Sequence, residues 1–80
     1  MSEIKDRLVR CFAVVFADVP QDELSTLAAR THGIWDSLAT ISLIGVVEEE
    51  FDTEIPPESI PRLLSFQELL EYLSDHEQHA

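Results

Sequence analysis

The chain has 80 residues, which suffices for one small domain, residues 1–80, with a modest core and little room for an enclosed active site. Its sixteen Asp and Glu residues outnumber its five Lys and Arg residues, and eleven of the acids follow residue 30, where Arg62 is the single Lys or Arg. This charge disfavours binding to nucleic acid and to anionic membranes and favours basic protein surfaces, although a solvated acidic face explains the composition equally well.

The sequence contains one cysteine, Cys11, so an intramolecular disulfide is excluded. No apolar run is long enough to span a bilayer, and the first residues lack the pattern of a signal peptide. We therefore expect a cytoplasmic monomer without a membrane span.

The first predicted element is a helix over residues 3 to 16, with Ser2 as its N-cap. Its apolar side chains recur at helical spacing and define one core face, which comprises Ile4, Leu8, Cys11, Phe12 and Val15.

A long connection, residues 17–36, follows this helix. Twenty residues without structure are unusual in so small a domain. The segment has its own apolar anchors, Val19, Leu24, Leu27 and Ile34, so we predict an ordered loop that includes one helical turn near residues 22–27.

A second helix begins at Asp36 or Ser37 and continues to about Glu50, where the prolines of DTEIPPES end it. A short helical turn is predicted over residues 57–63. Ser65 and Glu68 then form a capping-box pattern ahead of a last helix that ends near residue 75, followed by a frayed tail. The predicted fold is all-α: a small four-helix bundle of three main helices and a short one, with the long ordered loop between the first two.

The second helix carries two apolar stripes on nearly opposite sides. The first is assigned to the core and comprises Leu43, Val47 and Phe51, with Ile44 at its margin. The second comprises Leu38, Ile41 and Gly45. Two interpretations of this second stripe remain open: the long loop covers it, or it is an exposed docking strip. Gly45 favours docking slightly, because a helix-interior glycine costs about 1 kcal/mol against alanine and lets another molecule approach the backbone.

Ser37 is placed at the positive end of this helix, where unpaired N–H groups and the macrodipole suit a phosphate or phosphodiester. A serine in the first turn is also a common capping residue. The local pattern thus predicts that Ser37 tolerates a bound anion and lies beside an apolar strip. It does not indicate which reaction the serine takes part in.

At these residues the sequence resembles the acyl carrier protein family. The Asp-Ser-Leu triplet, Asp36, Ser37 and Leu38, is the family's signature at the start of the second helix. The segment EEEFDTEIPPES, residues 48–59, repeats the family's acidic helix end, its Phe and its Ile-Pro turn at the family's spacing. The lengths and patterns of the other segments also match, so the resemblance spans the whole chain.

The resemblance implies that a phosphopantetheinyl transferase, which uses Mg²⁺, esterifies Ser37 with 4′-phosphopantetheine from coenzyme A. The arm would carry acyl groups as thioesters between partner enzymes of a fatty-acid-like, polyketide or specialised pathway. Such acyl-activating or acyl-transferring partners present basic or apolar docking patches, which fits the acidic charge of this chain.

The chain departs from typical fatty-acid carriers, because Ala39 and Ser42 stand where those carriers have acids early in the second helix. A tryptophan at position 35, just before the Asp-Ser pair, resembles discrete carriers of specialised pathways more than the housekeeping fatty-acid carrier. The residues predicted to dock partners are Trp35, Leu38, Ile41, Gly45, Glu48 and Glu49. A second interpretation makes Trp35 a loop anchor packed on the bundle.

Two other interpretations of the function stay open: an aminoacyl or peptidyl carrier, and an unmodified helical module that binds a partner through Leu38 and Ile41. No acid–base or nucleophile set indicates an enzyme, and no catalytic residue is assigned. The acids near residue 54 lack the spacing of a calcium loop, and His76 and His79 have no partners for zinc, so no metal site is predicted. Cys11 is interpreted as a core residue, although a Cys11–His32 nucleophile pair remains open.

Overall fold

Three α-helices form most of the protein: α1 (Glu3–Val15), α2 (Ser37–Phe51) and α3 (Phe66–Glu77). The computed structural model describes residues 3–29, 33 and 35–77. Two 3₁₀ helices lie between the α-helices, Gln21–Thr26 in the first connection and Pro57–Arg62 in the second. Within these residues the extended pairing is limited to an isolated bridge between Ala28 and Ser65, so the predicted all-α class is confirmed.

The boundaries follow the predicted ones closely, with one correction at the end of the chain. The 3₁₀ helix Gln21–Thr26 occupies the place of the predicted turn in the long loop. Helix α3 extends through residue 77, so the prediction that the frayed tail begins at residue 76 was wrong for residues 76 and 77. The predictions for Ser2, Ile34 and residues 78–80 lie outside the described residues.

The core is formed by one face of each α-helix together with side chains from both connections. Its fully buried large side chains are Leu8, Phe12, Leu24, Leu27, Leu43, Val47, Phe66, Leu69 and Leu73. Cys11, Ile44 and Phe51 are also buried, as predicted, whereas Ile4 and Val15 are half-buried at the margin of the α1 face. Side chains at helical spacing therefore meet in a single apolar cluster.

The first part of the long connection, residues 17–29, is anchored by both side chains and backbone groups. Leu24 and Leu27 are buried in the core. Two hydrogen bonds also join the loop to the start of α3: Ala29 N donates to Leu64 O at 2.8 Å, and Phe66 N donates to Leu27 O at 2.9 Å. The backbone polar groups of this stretch are thus paired in a way that an unstructured loop could not provide.

Arg7 of α1 ties α1 to the C-terminal end of α2. Its Nε donates to a Glu50 carboxylate oxygen at 2.9 Å, its Nη2 donates to the Glu50 carbonyl, and its guanidinium lies 4.4 Å from the centre of the Phe51 ring. Helix α2 ends at Phe51, and its C-cap residue Asp52 adopts the left-handed conformation at φ 50°. The guanidinium therefore supplies a positive charge at the negative end of α2, where the last turn of the helix has no basic residue of its own.

Candidate functional site at the start of α2

Asp36 caps α2 and thereby fixes the position of Ser37. The Asp36 backbone is extended, and its Oδ1 accepts a hydrogen bond from Ala39 N at 2.9 Å. Its carbonyl oxygen accepts from both the backbone N and the Oγ1 of Thr40, each at 3.0 Å. Because no intrahelical carbonyl can reach the N–H groups of Ser37 and Leu38, these donors lie at the positive end of the helix.

Trp35 anchors the residue before the cap. Its indole Nε1 donates to Thr40 Oγ1 at 2.9 Å, and its ring contacts Phe12 edge-on with centroids 5.4 Å apart and Phe16 at 5.5 Å. The side chain is only 4% exposed, so it presents little surface to a partner. This burial agrees with the anchor interpretation of Trp35. The turn that carries Asp36 and Ser37 is therefore fixed on one side by Trp35 and on the other by the cap of α2.

Ser37 is the first residue of α2, and its side chain is exposed to solvent. It borders a shallow, mainly apolar groove between α2 and the second 3₁₀ helix; the groove is lined by Ala29, Trp35, Asp36, Thr40, Ile41, Ile60, Pro61 and Leu64. Of the described residues, Asp36 is the one ionisable residue in this lining, and it is engaged as the helix cap. A group from outside this lining would therefore have to activate the Ser37 hydroxyl as a nucleophile.

The second stripe of α2 is exposed, which decides between the two interpretations of its burial. Leu38 is 72% exposed and Ile41 is 70% exposed, so the described part of the long loop does not cover them. A Cβ atom built on Gly45 would meet no atom within 4 Å apart from its own stretch of helix, which places Gly45 on the same open face. The core stripe of α2 is buried as predicted, and the helix is thus apolar on an inner and an outer side.

Val14 of α1 also belongs to this exposed apolar region, although sequence reasoning missed it. It is 68% exposed and borders the same grooves as Leu38 and Ile41. Its position outside the core face of α1 was readable from the sequence, but single exposed valines are common. Only the packing of α1 beside α2 brings Val14 to the strip.

The acids at the end of α2 divide by role. Glu48 is half-buried, and its Oε2 accepts a hydrogen bond from Ile55 N at 2.7 Å, which stabilises the turn after the helix. Glu50 pairs with Arg7 at 2.9 Å. Glu49 is exposed to solvent, so of the two acids predicted to dock partners it is the more accessible. Glu48 has a structural role that the sequence did not indicate.

Cys11 is buried at 3% exposure on the α1 face, which agrees with the core interpretation. Burial, with a smaller contribution from the charge of Glu50, raises the pKa of the Cys11 thiol to about 11, so it is protonated at neutral pH and a poor nucleophile. His32 and His79, and the side chain of His76, lie outside the described part of the chain. Within that part, no group of three His, Cys, Asp or Glu side chains is arranged to hold a metal ion.

No protein-family model matches the chain. Of the helices in the described ranges, none is long and apolar enough to cross a membrane. The resemblance to acyl carrier proteins therefore rests on the sequence motifs alone.

Proposed function

We propose that the protein is a carrier of acyl groups, which it holds as thioesters on a 4′-phosphopantetheine arm attached to Ser37. The observation that carries this proposal is the exposed hydroxyl of Ser37 on the first residue of a helix whose start is fixed by the Asp36 cap and the Trp35–Thr40 hydrogen bond. The proposed arrangement is the four-helix bundle of acyl carriers, in which the short helix Pro57–Arg62 is the third member.

The chain's own part in the attachment is to present one hydroxyl and to accommodate the negative charge that results. Ser37 Oγ forms a bond to the phosphorus nearest the pantetheine of coenzyme A, the pyrophosphate P–O bond breaks, and 3′,5′-ADP leaves. The transferase accepts the serine proton and supplies Mg²⁺, since among the described residues the capping Asp36 is the one ionisable group that lines the groove beside Ser37. The N–H groups of Ser37 and Leu38 favour the phosphodiester electrostatically.

The residues beside Ser37 fit such an arm. The apolar groove of Trp35, Ile41, Ile60 and Leu64 begins at the modified side chain and gives an extended, partly apolar group a surface to lie on. When bound, the arm supplies a thiol that holds an acyl group as a thioester. The exposed Leu38 and Ile41 then offer partner enzymes an apolar surface beside the attachment point.

Two alternatives follow from the same observations. In the first, the arm carries an aminoacyl or peptidyl group, because the attachment to Ser37 is the same for either cargo. A function from another class, an unmodified helical module that binds a partner, is favoured by the exposure of Leu38 and Ile41 and needs no arm. The two classes differ in whether Ser37 becomes modified.

Intact-mass measurement tests the proposal directly. The purified chain is weighed before and after incubation with coenzyme A, Mg²⁺ and a broad-specificity phosphopantetheinyl transferase, and fragmentation locates the modification. The Ser37→Ala variant should gain no arm. Ser42→Ala is the matched control, because Ser42 is an exposed serine on the same helix but not in its first turn, and it should be modified like the parent chain.

A gain of one phosphopantetheine on Ser37, or its presence from the outset, supports the carrier. A chain that this transferase and one from the source organism both leave unmodified would instead favour the interaction module. Modification that survives in Ser37→Ala would show that another serine is the attachment point.

A further inference from the structure

The hydroxyl of Thr40 links the two residues that precede Ser37. Trp35 Nε1 donates to Thr40 Oγ1 at 2.9 Å, and Thr40 Oγ1 donates to the Asp36 carbonyl oxygen at 3.0 Å. The direction of both bonds is fixed by chemistry, because an indole nitrogen only donates and a carbonyl oxygen only accepts. We call this pair of hydrogen bonds the Trp35–Thr40–Asp36 bridge.

The bridge acts on the peptide group that leads into Ser37. The carbonyl of Asp36 and the N–H of Ser37 belong to one planar peptide unit, so a bond that orients this carbonyl also orients the N–H and the Cα of Ser37. The same carbonyl oxygen accepts from Thr40 N at 3.0 Å. Thr40 therefore holds the peptide with both its backbone and its side chain.

At its other end the bridge is joined to the aromatic part of the core. The Trp35 ring contacts the rings of Phe12 and Phe16, with centroids 5.4 and 5.5 Å away. Phe12 belongs to α1, so the bridge positions the start of α2 relative to α1. The side-chain cap of Asp36 does not supply this link, because its Oδ1 accepts from Ala39 N within α2 itself.

We propose that Thr40 is a positioning residue for the transfer of phosphopantetheine to Ser37: its hydroxyl, through the bridge, holds the Ser37 peptide in the orientation that the transferase uses. This inference rests on the proposed function and adds a residue to it. Thr40 takes no part in bond making, but Ser37 Oγ has to approach the phosphorus of coenzyme A along a defined direction. A misplacement of about 1 Å in such a group slows a reaction by up to about 100-fold.

Thr40→Val removes the bridge with little other change, because valine and threonine are both β-branched and have similar helix propensities. The backbone bond from residue 40 to the Asp36 carbonyl remains, whereas the buried Trp35 Nε1 loses its acceptor. Thr40→Ser keeps the hydroxyl and is the conservative variant. Trp35→Phe removes the indole donor and keeps an aromatic ring in the core, so it tests the bridge from its other end.

Thr26→Val is the matched control. Thr26 Oγ1 also donates to a backbone carbonyl, that of Glu23, at 2.7 Å. Thr26 lies in the first 3₁₀ helix, outside the described lining of the groove beside Ser37. The same substitution therefore removes a similar hydrogen bond at a place that does not position Ser37.

The test combines kinetics with NMR. Transfer rates are measured with coenzyme A, Mg²⁺ and a transferase that modifies the parent chain, at a temperature at which circular dichroism shows that every variant is folded. Hydrogen exchange of the indole N–H is followed by NMR, and its signal is unique because Trp35 is the single tryptophan of the chain.

Thr40→Val should lower kcat about tenfold, with KM for the carrier within about twofold of the parent's, and it should speed the exchange of the indole N–H. Thr40→Ser should keep kcat within about threefold of the parent's, while Trp35→Phe should lower it as Thr40→Val does. Thr26→Val should keep both the kcat and the indole exchange of the parent.

A lower Tm of Thr40→Val with an unchanged kcat would show a merely structural role and overturn the proposal while the carrier function stands. Equal loss of kcat in Thr40→Val and Thr26→Val, a change in KM alone, or unchanged indole exchange in Thr40→Val would overturn it as well. A parent chain that stays unmodified would instead refute the carrier function itself, and the positioning role with it.

Discussion

Truncation of Glu48 gives a sharp test of how this fold is stabilised, because sequence and structure assign that residue different roles. The sequence places Glu48 among the docking acids, whereas its Oε2 accepts from Ile55 N at 2.7 Å and supports the turn that follows α2. Glu48→Ala removes this acceptor and leaves the N–H of Ile55 without a hydrogen-bond partner from Glu48. We therefore expect the variant to lose stability before any partner is present.

The magnitude follows from three contributions. A hydrogen bond to a charged acceptor contributes about 1.5–3 kcal/mol, and Ile55 itself is only 4% exposed, so water replaces the acceptor poorly. Two small gains oppose this loss: the higher helix propensity of alanine and the removal of an acid from the negative end of α2, each about 0.3–0.5 kcal/mol. The expected net loss is about 1–2 kcal/mol, which lowers Tm by about 5–15 °C in a domain of this size.

Thermal unfolding followed by circular dichroism measures this, with Glu49→Ala as the matched control. Glu49 is exposed in the adjacent position of the same helix, so its truncation should leave Tm unchanged or slightly raised. Glu48→Gln keeps an oxygen acceptor and should lose less than Glu48→Ala. Equal melting of Glu48→Ala and Glu49→Ala would refute a structural role for the Glu48–Ile55 hydrogen bond.

Two further predictions concern α2 and α1. Gly45→Ala should stabilise the protein by about 0.5–1 kcal/mol, because the new Cβ meets open space and alanine is the better helix former; a lower Tm would show that the position is not free. Cys11 should make stability fall between about pH 9 and pH 11: its folded pKa of about 11 exceeds the ordinary value of 9.0, so the unfolded chain releases the proton first and stability is fully present only below that window. The free energy of unfolding is measured with urea at pH 9 and at pH 11 for the parent and for Cys11→Ala. It should fall less with pH in Cys11→Ala than in the parent, and the two falls should differ by about 2 kcal/mol at most. Equal falls in the two proteins would contradict the buried thiol.

Local signals predicted most of the helical framework. The cap of α2 was readable because Asp36 precedes an apolar run, and its Oδ1 indeed accepts from Ala39 N. The capping box ahead of α3 was readable for the same reason, and Ser65 Oγ accepts from Glu68 N at 3.0 Å. Both features join residues three positions apart, so the sequence window contains all of the participating groups.

Contacts between distant segments were not predictable in this way. The bond from Ala29 N to Leu64 O depends on how the loop crosses the start of α3, and nothing in either segment signals the other. The interaction of Arg7 with Glu50 and Phe51 likewise depends on the packing of α1 against α2. The exposure of Leu38 and Ile41 was left open by the sequence because the long loop had enough apolar residues to reach them; its Leu24 and Leu27 instead enter the core.

Helix α2 combines three features that reduce its stability or contribute nothing to it, and all three lie on its outward side or at its acidic end. Gly45 costs about 1 kcal/mol against alanine, Leu38 and Ile41 are left in water, and Glu49 and Asp52 add negative charge at the negative end of the helix. The inner side of the same helix shows the opposite pattern, with Leu43 and Val47 fully buried. The needs of the fold therefore do not account for glycine at position 45 or for the acids at the end of the helix.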